Sequence, residues 1–509
     1  MKKDIKFMIF LLLGILLMVS ISVYQLSIVK PELSRLENIG FWVVAGVVML
    51  FVFIASFAIY RQKNLTEEKA FLITIPFICL LFIILMPTFK NHDETGHWNR
   101  IYEISTGNLL TKKINGRIGN FFPRSTLEVY NNQDWEGITY SKLLELSEIR
   151  LKNQENTVFI PMGTTAIYSP IQYLPQVLGV CLSRLMTDHV LVMAYMARIF
   201  NLIVSLALLY YAIKWMPFGK KIVLVLAYIP ILIEGISSMS PDALTISVAY
   251  LLIAYILNLT YSKKVTNITN KNLIFIGILA SVLALCKIVY IPLVFFILIL
   301  PKEKFALEKN RRISLAMIII IAVLINLTWL GISSHYLADY QNDMPLIQTV
   351  ELITHPFIYI KKLFYTIGVE GQSYLAEIFG STIGWCEFIK VSDIIPMGLG
   401  FLFMLICFLD NSIKEILTKQ QKILIAIISV TIILLIFTSL YIQWTKYGSP
   451  IIEGVQGRYF LPIMPFIGLL LGSVKIKTVM KEQNLTKIIA VTGILLEINC
   501  ILTIYLHQI

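Results

Sequence analysis

The sequence has 509 residues, of which 57% are hydrophobic and 15% charged, with a formal net charge of +12. Soluble domains carry about a quarter charged residues, whereas apolar runs of the roughly 20 residues that cross a bilayer recur here from end to end. That excludes a soluble globular protein. It also excludes a β-barrel, whose strands alternate instead of running continuously apolar. The surplus of Lys and Arg reads as cytoplasmic-loop charge, not as a nucleic-acid footprint. Cys79, Cys181, Cys286, Cys407 and Cys500 lie in or beside apolar stretches and only Cys386 falls in a polar one, which gives no disulfide framework.

At the N-terminus, Lys2-Lys3 precede an apolar stretch from Phe7 to about Val23. Ser20-Ile21-Ser22 is a poor cleavage site, so an uncleaved anchor is expected. Further spans are predicted over 39–60, 70–88, 191–213, 221–237, 243–260, 273–286, 288–300, 313–333, 395–409, 422–443, 460–474 and 487–506. The fold class is therefore an all-α polytopic membrane protein with roughly thirteen spans. With the N-terminus inside, the cytoplasmic connections collect Arg61, Lys63, Lys220, Lys221, Lys263, Lys264, Arg311, Arg312, Lys414, Lys422, Lys475, Lys477, Lys481 and Lys487. The short connections on the other side hold only Lys30, Arg35, Lys287, Lys446 and Arg458. This asymmetry sets the orientation, and two long polar segments, 89–190 and 334–394, then fall outside.

The first outer segment opens on His92-Asp93-Glu94-Thr95-Gly96-His97-Trp98-Asn99-Arg100. Asp93, His97 and Arg100 are spaced i, i+4, i+7 and share one face if helical. Tyr102, Ile104 and Leu109 extend an amphipathic pattern that Gly107-Asn108 would end, which predicts a helix lying on the outer leaflet. A carboxylate here can serve as a general base. Asp93 and Glu94 could equally hold a divalent cation such as Mg or Mn, or simply favour a helix N-terminus. His92 is read as surface. Later, Tyr168-Ser169-Pro170-Ile171-Gln172-Tyr173 starts a second amphipathic helix.

Other charged residues sit at predicted outer helix ends. Asp242, after Ser240-Pro241, is either a second acid or part of a helix cap. Arg198, inside an apolar run, is expected to pair with Asp93, Glu94 or Asp242. Lys287 and Arg458 suit phosphate or snorkelling to the interface. Glu234 and Glu497 lie near or within apolar spans. In the second outer segment His335, Tyr336, His355, Tyr365, Glu370, Glu377, Trp385 and Glu387 form either an acceptor wall or interfacial packing.

The order of these motifs resembles the bacterial membrane family labelled domain of unknown function 2142, which is similar to the GT-C polytopic glycosyltransferases. A Pro-Asp-Glu-x-x-His-x-x-Arg-like run corresponds to 93–100, with His92 in place of Pro. Ser169-Pro170-Ile171-Gln172-Tyr173, Ala197-Arg198-Ile199-Phe200-Asn201 and Ser238-Met239-Ser240-Pro241-Asp242-Ala243-Leu244 follow. Cys286-Lys287-Ile288-Val289-Tyr290-Ile291-Pro292 and Gln456-Gly457-Arg458-Tyr459 close the series. The resemblance spans about 70–475, between an N-terminal hairpin (1–69) and a C-terminal helix (476–509). Two spans precede the acidic loop where one is usual, which leaves its sidedness unchanged.

The resemblance implies an inverting transferase that moves sugar from a polyprenyl phosphate to an envelope glycan, lipid or protein on the outer face of the bacterial cytoplasmic membrane. Asp93, with Glu94 and Asp242, would be catalytic. His97, Arg100, Tyr173, Arg198, Lys287, Tyr290, Arg458 and Tyr459 would bind substrate. The alternatives are a carrier of lipid-linked glycans, which intramembrane acids such as Glu497 would suit, and a non-catalytic scaffold.

Overall fold

The computed structural model describes residues 2–29, 34–131, 140–152, 156–336, 345–384, 389–414, 416–474 and 482–507. Lys30, Trp385, Cys386, Glu387, Lys475, Lys477 and Lys481 lie outside the described residues. In chain order the helices are α1 (Lys2–Val29), α2 (Arg35–Arg61), α3 (Glu67–Leu85), α4 (Glu94–Ser105), α5 (Ser125–Asn131), α6 (Tyr140–Leu146), α7 (Leu174–Arg184), α8 (Val190–Trp215), α9 (Lys220–Leu226) and α10 (Pro230–Ser237). They continue with α11 (Asp242–Tyr261), α12 (Asn270–Cys286), α13 (Glu308–Ser333), α14 (Pro345–Thr354), α15 (Pro356–Ile378), α16 (Ile394–Leu409), α17 (Lys419–Gln443), α18 (Met464–Gly472) and α19 (Glu482–Leu506). Polar caps start several of them: capping boxes at Ser34, Thr269 and Thr418, and a Thr66 side chain that accepts from Lys69 N–H.

Among the described residues, eight helices are long and apolar enough to cross a membrane: α1, α2, α3, α8, α11, α13, α17 and α19. The protein is thus a multi-pass, mostly helical membrane protein. Burial sorts the eight, because 83% of the apolar window is buried in α11 and in α19 but only 28% in α1 and in α13. The first two form the centre of the bundle and the others its rim. Four shorter apolar segments accompany them: α12, Ile288–Ile299, α16 and Gly457–Gly472. Ile288–Ile299 is a 3-10 helix, so its 12 residues reach about 24 Å at roughly 2 Å per residue.

The stretch expected as one span over 221–237 is broken. It forms α9 and α10 with a turn between them, and Pro230 opens α10 where its missing N–H costs nothing.

Among the described residues, five short strands stand outside the all-α expectation. β1 (Lys112–Ile114), β2 (Arg117–Pro123) and β3 (Thr157–Pro161) make an antiparallel sheet in that order, and β4 (Thr382–Ile383) pairs with β5 (Ile389–Lys390). Asn115 and Gly116, both at positive φ, close the β1–β2 hairpin, the backbone such two-residue turns require.

The sheet and α4, α5 and α7 surround a second apolar core containing Trp98, Ile101, Tyr102, Phe122 and Tyr173. The helix predicted to lie on the membrane surface is therefore a core element. Trp98, Arg100 and Ile101 of α4 are fully buried, because α7 packs along the helix, Trp98 Nε1 donates to the Thr126 carbonyl of α5 and the Phe122 ring of β2 lies against Tyr102.

The far end of the bundle carries a basic cluster. Lys221 reaches Glu67, Asp410 and Glu482, Lys220 pairs with Glu68, and Lys487 donates to the Tyr60 carbonyl. These residues mark the N-termini of α3 and α19 and the C-terminus of α16. The candidate site lies at the opposite ends of the same bundle.

Candidate functional site

Beneath the site lies a closed hub. Glu94, the first residue of α4, and Arg198, more than two turns into α8, are both 0% exposed. The Glu94 carboxylate accepts five hydrogen bonds: from Arg198 Nε (2.8 Å) and Nη2 (2.6 Å), Phe89 N (2.7 Å), Asn91 Nδ2 (3.0 Å) and Met239 N (3.0 Å). Arg198 also donates to the carbonyls of Met86 and Pro87. One ion pair thereby ties together the end of α3, the 87–93 loop, α8 and the 238–240 turn. Asn201, one turn further along α8, donates to the Ser238 carbonyl at 2.7 Å and holds the same turn.

The loop so fixed delivers Asp93. This residue caps α4 in a left-handed conformation (φ 54°, ψ 16°), a backbone state that Asp tolerates better than most residues. The 238–240 turn delivers Asp242. Ser240 Oγ accepts from the Asp242 N–H at 3.2 Å, which leaves the carboxylate of Asp242 free of capping.

Two cations face the two acids. Arg458 Nη2 donates to Asp93 Oδ2 at 2.7 Å, and its Nε lies 3.7 Å from Asp242 Oδ2. Lys287, the C-cap of α12, lies 2.6 Å from Asp242 Oδ1. The Tyr459 ring lines both cations, 4.6 Å from Lys287 Nζ and 5.6 Å from Arg458 Cζ. Arg458 comes from a chain segment pressed against α15. Gly457 is required there because a Cβ would fall 2.4 Å from Ile378 N, and Glu377 Oε2 accepts from the Gly457 N–H at 2.7 Å.

Burial, the largest single influence, would raise the Asp93 carboxyl, but the Arg458 guanidinium, with smaller help from His97 and His92, brings Asp93 down to about 2. Its side chain is 55% exposed, and that exposure opens into a cavity. His97 is lowered as well, to about 4, chiefly by burial and despite Asp93 and Asp242 nearby. A neutral imidazole results, and its Nδ1 shares a 2.8 Å hydrogen bond with Tyr173 Oη.

The four charges stand between two cavities. The larger, about 420 Å³, is lined by Asp93, His97, Thr165, Trp444, Gln456 and their neighbours. The smaller, about 180 Å³, is lined by Lys287 and by apolar side chains that include Ile288, Trp329, Leu330 and Ile436. Tyr168 and Tyr459 line both and form the partition. Arg458 Nε and Gln456 Oε1 are buried with no hydrogen-bond partner among the described residues.

The structure thus brings together Asp93, His97, Asp242, Lys287, Arg458 and Tyr459. It removes others from contact with a ligand. Asp93, His97 and Arg100 do not share a face, because Asp93 sits outside the helix as its cap. Arg100 is fully buried and bonded to Glu103 (2.5 Å), Thr111 and two carbonyls. Glu94 and Arg198 belong to the hub, as the scaffold reading of Arg198 anticipates. Tyr173 is buried behind His97, and Tyr290 Oη is spent on the Tyr459 carbonyl at 2.8 Å.

His92 is not a surface residue; its Nδ1 lies 2.9 Å from Glu234 Oε1, which also accepts from Gly384 N–H. The Asp93–Glu94 pair does not fit a metal, since both oxygens of Glu94 are consumed by the hub. Among the described residues no group of three His, Cys, Asp or Glu side chains forms a cage.

Sequence reasoning passed over Trp444, Gln443 and Thr165, and gave Gln456 only as the residue that opens the closing Gly-Arg-Tyr motif. Trp444 follows directly on the last span before the Gly-Arg-Tyr motif, the one signal that could have marked it.

No curated protein and no solved structure matches the chain. Residues 75–467, which carry every group of the hub, the four-charge cluster and both cavities, match one family model over more than half of the chain, and the protein belongs to that family, described as a predicted membrane protein (DUF2142).

Proposed function

We propose that the protein is an inverting glycosyltransferase of the GT-C type, with about thirteen membrane crossings and its site at the outer face of a bacterial cytoplasmic membrane. Its donor is a sugar linked to polyprenyl phosphate. The observation that carries the reading is the Asp93–Arg458–Asp242–Lys287 cluster at the junction of a polar and an apolar cavity. The apolar cavity suits the first isoprene units, and Lys287 at its mouth suits the phosphate.

In this reading the Asp93 carboxylate takes the proton of an acceptor hydroxyl. The hydroxyl oxygen attacks the anomeric carbon, the bond from that carbon to the phosphate oxygen breaks, and the phosphate leaves with the electron pair. Lys287 and Arg458 neutralise it. A carboxyl held at about 2 is a weak base. Donor phosphate that draws Arg458 away would restore its basicity, so the base is unmasked only when the donor is in place. Asp242 holds Lys287 and steadies Arg458.

The test is sugar transfer by purified protein from a polyprenyl-phosphate sugar, comparing wild type with Asp93→Asn. Transfer should be lost by about 10²–10⁴-fold, the usual worth of a general base. Full turnover by the Asn variant would sink the assignment. A carrier of lipid-linked glycans is the second reading, because Glu497 is fully buried in α19 with neither oxygen hydrogen-bonded among the described residues. Flipping of a labelled lipid-linked glycan in vesicles, unaffected by Asp93→Asn, would favour it.

A further inference from the structure

We infer that the larger cavity seats the acceptor and that this acceptor is a neutral sugar, its ring stacked on Trp444 and one hydroxyl placed on Asp93. The inference rests on the transferase reading and narrows the acceptor from glycan, lipid or protein to one class.

Four observations carry it. The cavity holds about 420 Å³, within the size range of small-ligand sites. Its lining pairs an aromatic wall with amide and hydroxyl groups, including Trp444, Gln443, Gln456 and Thr165. Aromatic faces receive the C–H face of a pyranose, while amides and hydroxyls meet its hydroxyl rim. Gln456 Oε1 is buried with no partner among the described residues, an acceptor that a sugar hydroxyl would satisfy. Finally, no Lys or Arg is among the lining residues and Asp93 is the one acid there. A phosphate-bearing or uronic acceptor would meet the Asp93 carboxylate and no Lys or Arg on the chamber wall, since Arg458 is already paired with Asp93 and does not line the cavity, and a lipid acceptor would find its apolar wall in the other cavity.

Two glycines keep the chamber open. At Gly454 (φ +80°) a Cβ would fall 2.3 Å from Trp444 Cδ1, and at Gly96 one would fall 3.1 Å from Thr165 Cγ2. Only glycine lets the 454 backbone lie against the Trp444 ring in that conformation.

The test is ligand-observed saturation-transfer NMR on the full-length protein in detergent. The probes are the methyl pyranosides of glucose, galactose, mannose and their N-acetylated amino sugars, with methyl glucuronoside as the charged control. At least one neutral probe should bind wild type and Asp93→Asn, and the glucuronoside should not bind wild type. Trp444→Ala should weaken binding by about tenfold, and Trp444→Tyr should retain most of it. No binding by any neutral probe, or equal binding by Trp444→Ala, overturns the proposal.

In the transfer assay, Trp444→Ala should raise the acceptor KM and leave the donor KM unchanged. A rise in donor KM alone would assign the chamber to the donor sugar and overturn the proposal. Absence of transfer by wild type would defeat the transferase reading, while the NMR measurement still judges the chamber itself.

Discussion

The Glu94–Arg198 pair and the Asp93–Arg458 pair begin one residue apart, yet their surroundings are opposite. Glu94 has no exposure and five donors on its carboxylate, whereas Asp93 has one guanidinium and opens into a cavity. A sealed pair with every lone pair used cannot take up a ligand; it can only hold backbone in place. A pair with an unmet Nε on one side and open space on the other can exchange partners. Neighbouring acids in a motif therefore carry separate tasks, and accessibility divides them more surely than residue type.

Breaking the sealed pair should have the largest effect on the fold. Arg198→Ala leaves a buried carboxylate uncompensated and should cost about 3–5 kcal/mol, read as a lower unfolding midpoint in detergent. Asp93→Asn should change that midpoint by less than about 1 kcal/mol while removing transfer. If the two variants melt alike, the contrast fails.

A smaller shift sharpens the role of Arg458. Asp93 must be ionised to act, so kcat/KM falls as pH drops through its free-enzyme pKa. Arg458 holds that pKa at about 2, below the ordinary 3.8. Arg458→Gln should move the acid limb upward, toward the ordinary carboxylate range. An unmoved limb would mean that another group sets it.

The mildest effect concerns His97. Its folded pKa of about 4 lies below the ordinary 6.5, so between those values the unfolded chain binds a proton that the folded one does not. Stability should therefore fall as pH drops from 6.5 toward 4, and His97→Gln should flatten that part of the melting profile.

The helices were legible because twenty apolar residues in a row leave few alternatives. The site charges were legible for a related reason: Asp242, Lys287 and Arg458 interrupt an apolar chain at span ends, where a charge costs free energy unless it is used. What failed was local geometry. The i, i+4, i+7 spacing assumed that Asp93 lies within the helix, and its left-handed backbone turns the side chain off that face. Arg100 and His92 looked available because their partners, Glu103 beneath the sheet and Glu234 142 residues away, are not visible from periodicity. The sheet was missed because β2 and β3 lack clean alternation: Phe121 is exposed and Phe122 buried, but Phe159 and Ile160 are both intermediate. Trp444 carries no motif of its own, and Gln456 stands at the edge of one; both gain meaning only from the cavity they line.

Helix α19 lies outside the family segment and is among the most enclosed elements of the bundle. It is wedged between the N-terminal hairpin and the core. Leu495 packs where Gly14 leaves room, Gly40 admits the Tyr505 hydroxyl, and Gly493 lets Tyr228 press against the helix. Asn499 Nδ2 donates to Ser22 Oγ at 3.0 Å across 477 residues of chain. During synthesis, α1 and α2 therefore enter the bilayer long before their main partner exists. They wait with α3, on which Phe51 of α2 stacks through Phe77, as their early neighbour, and the arrival of α19 joins this hairpin to the core of the bundle.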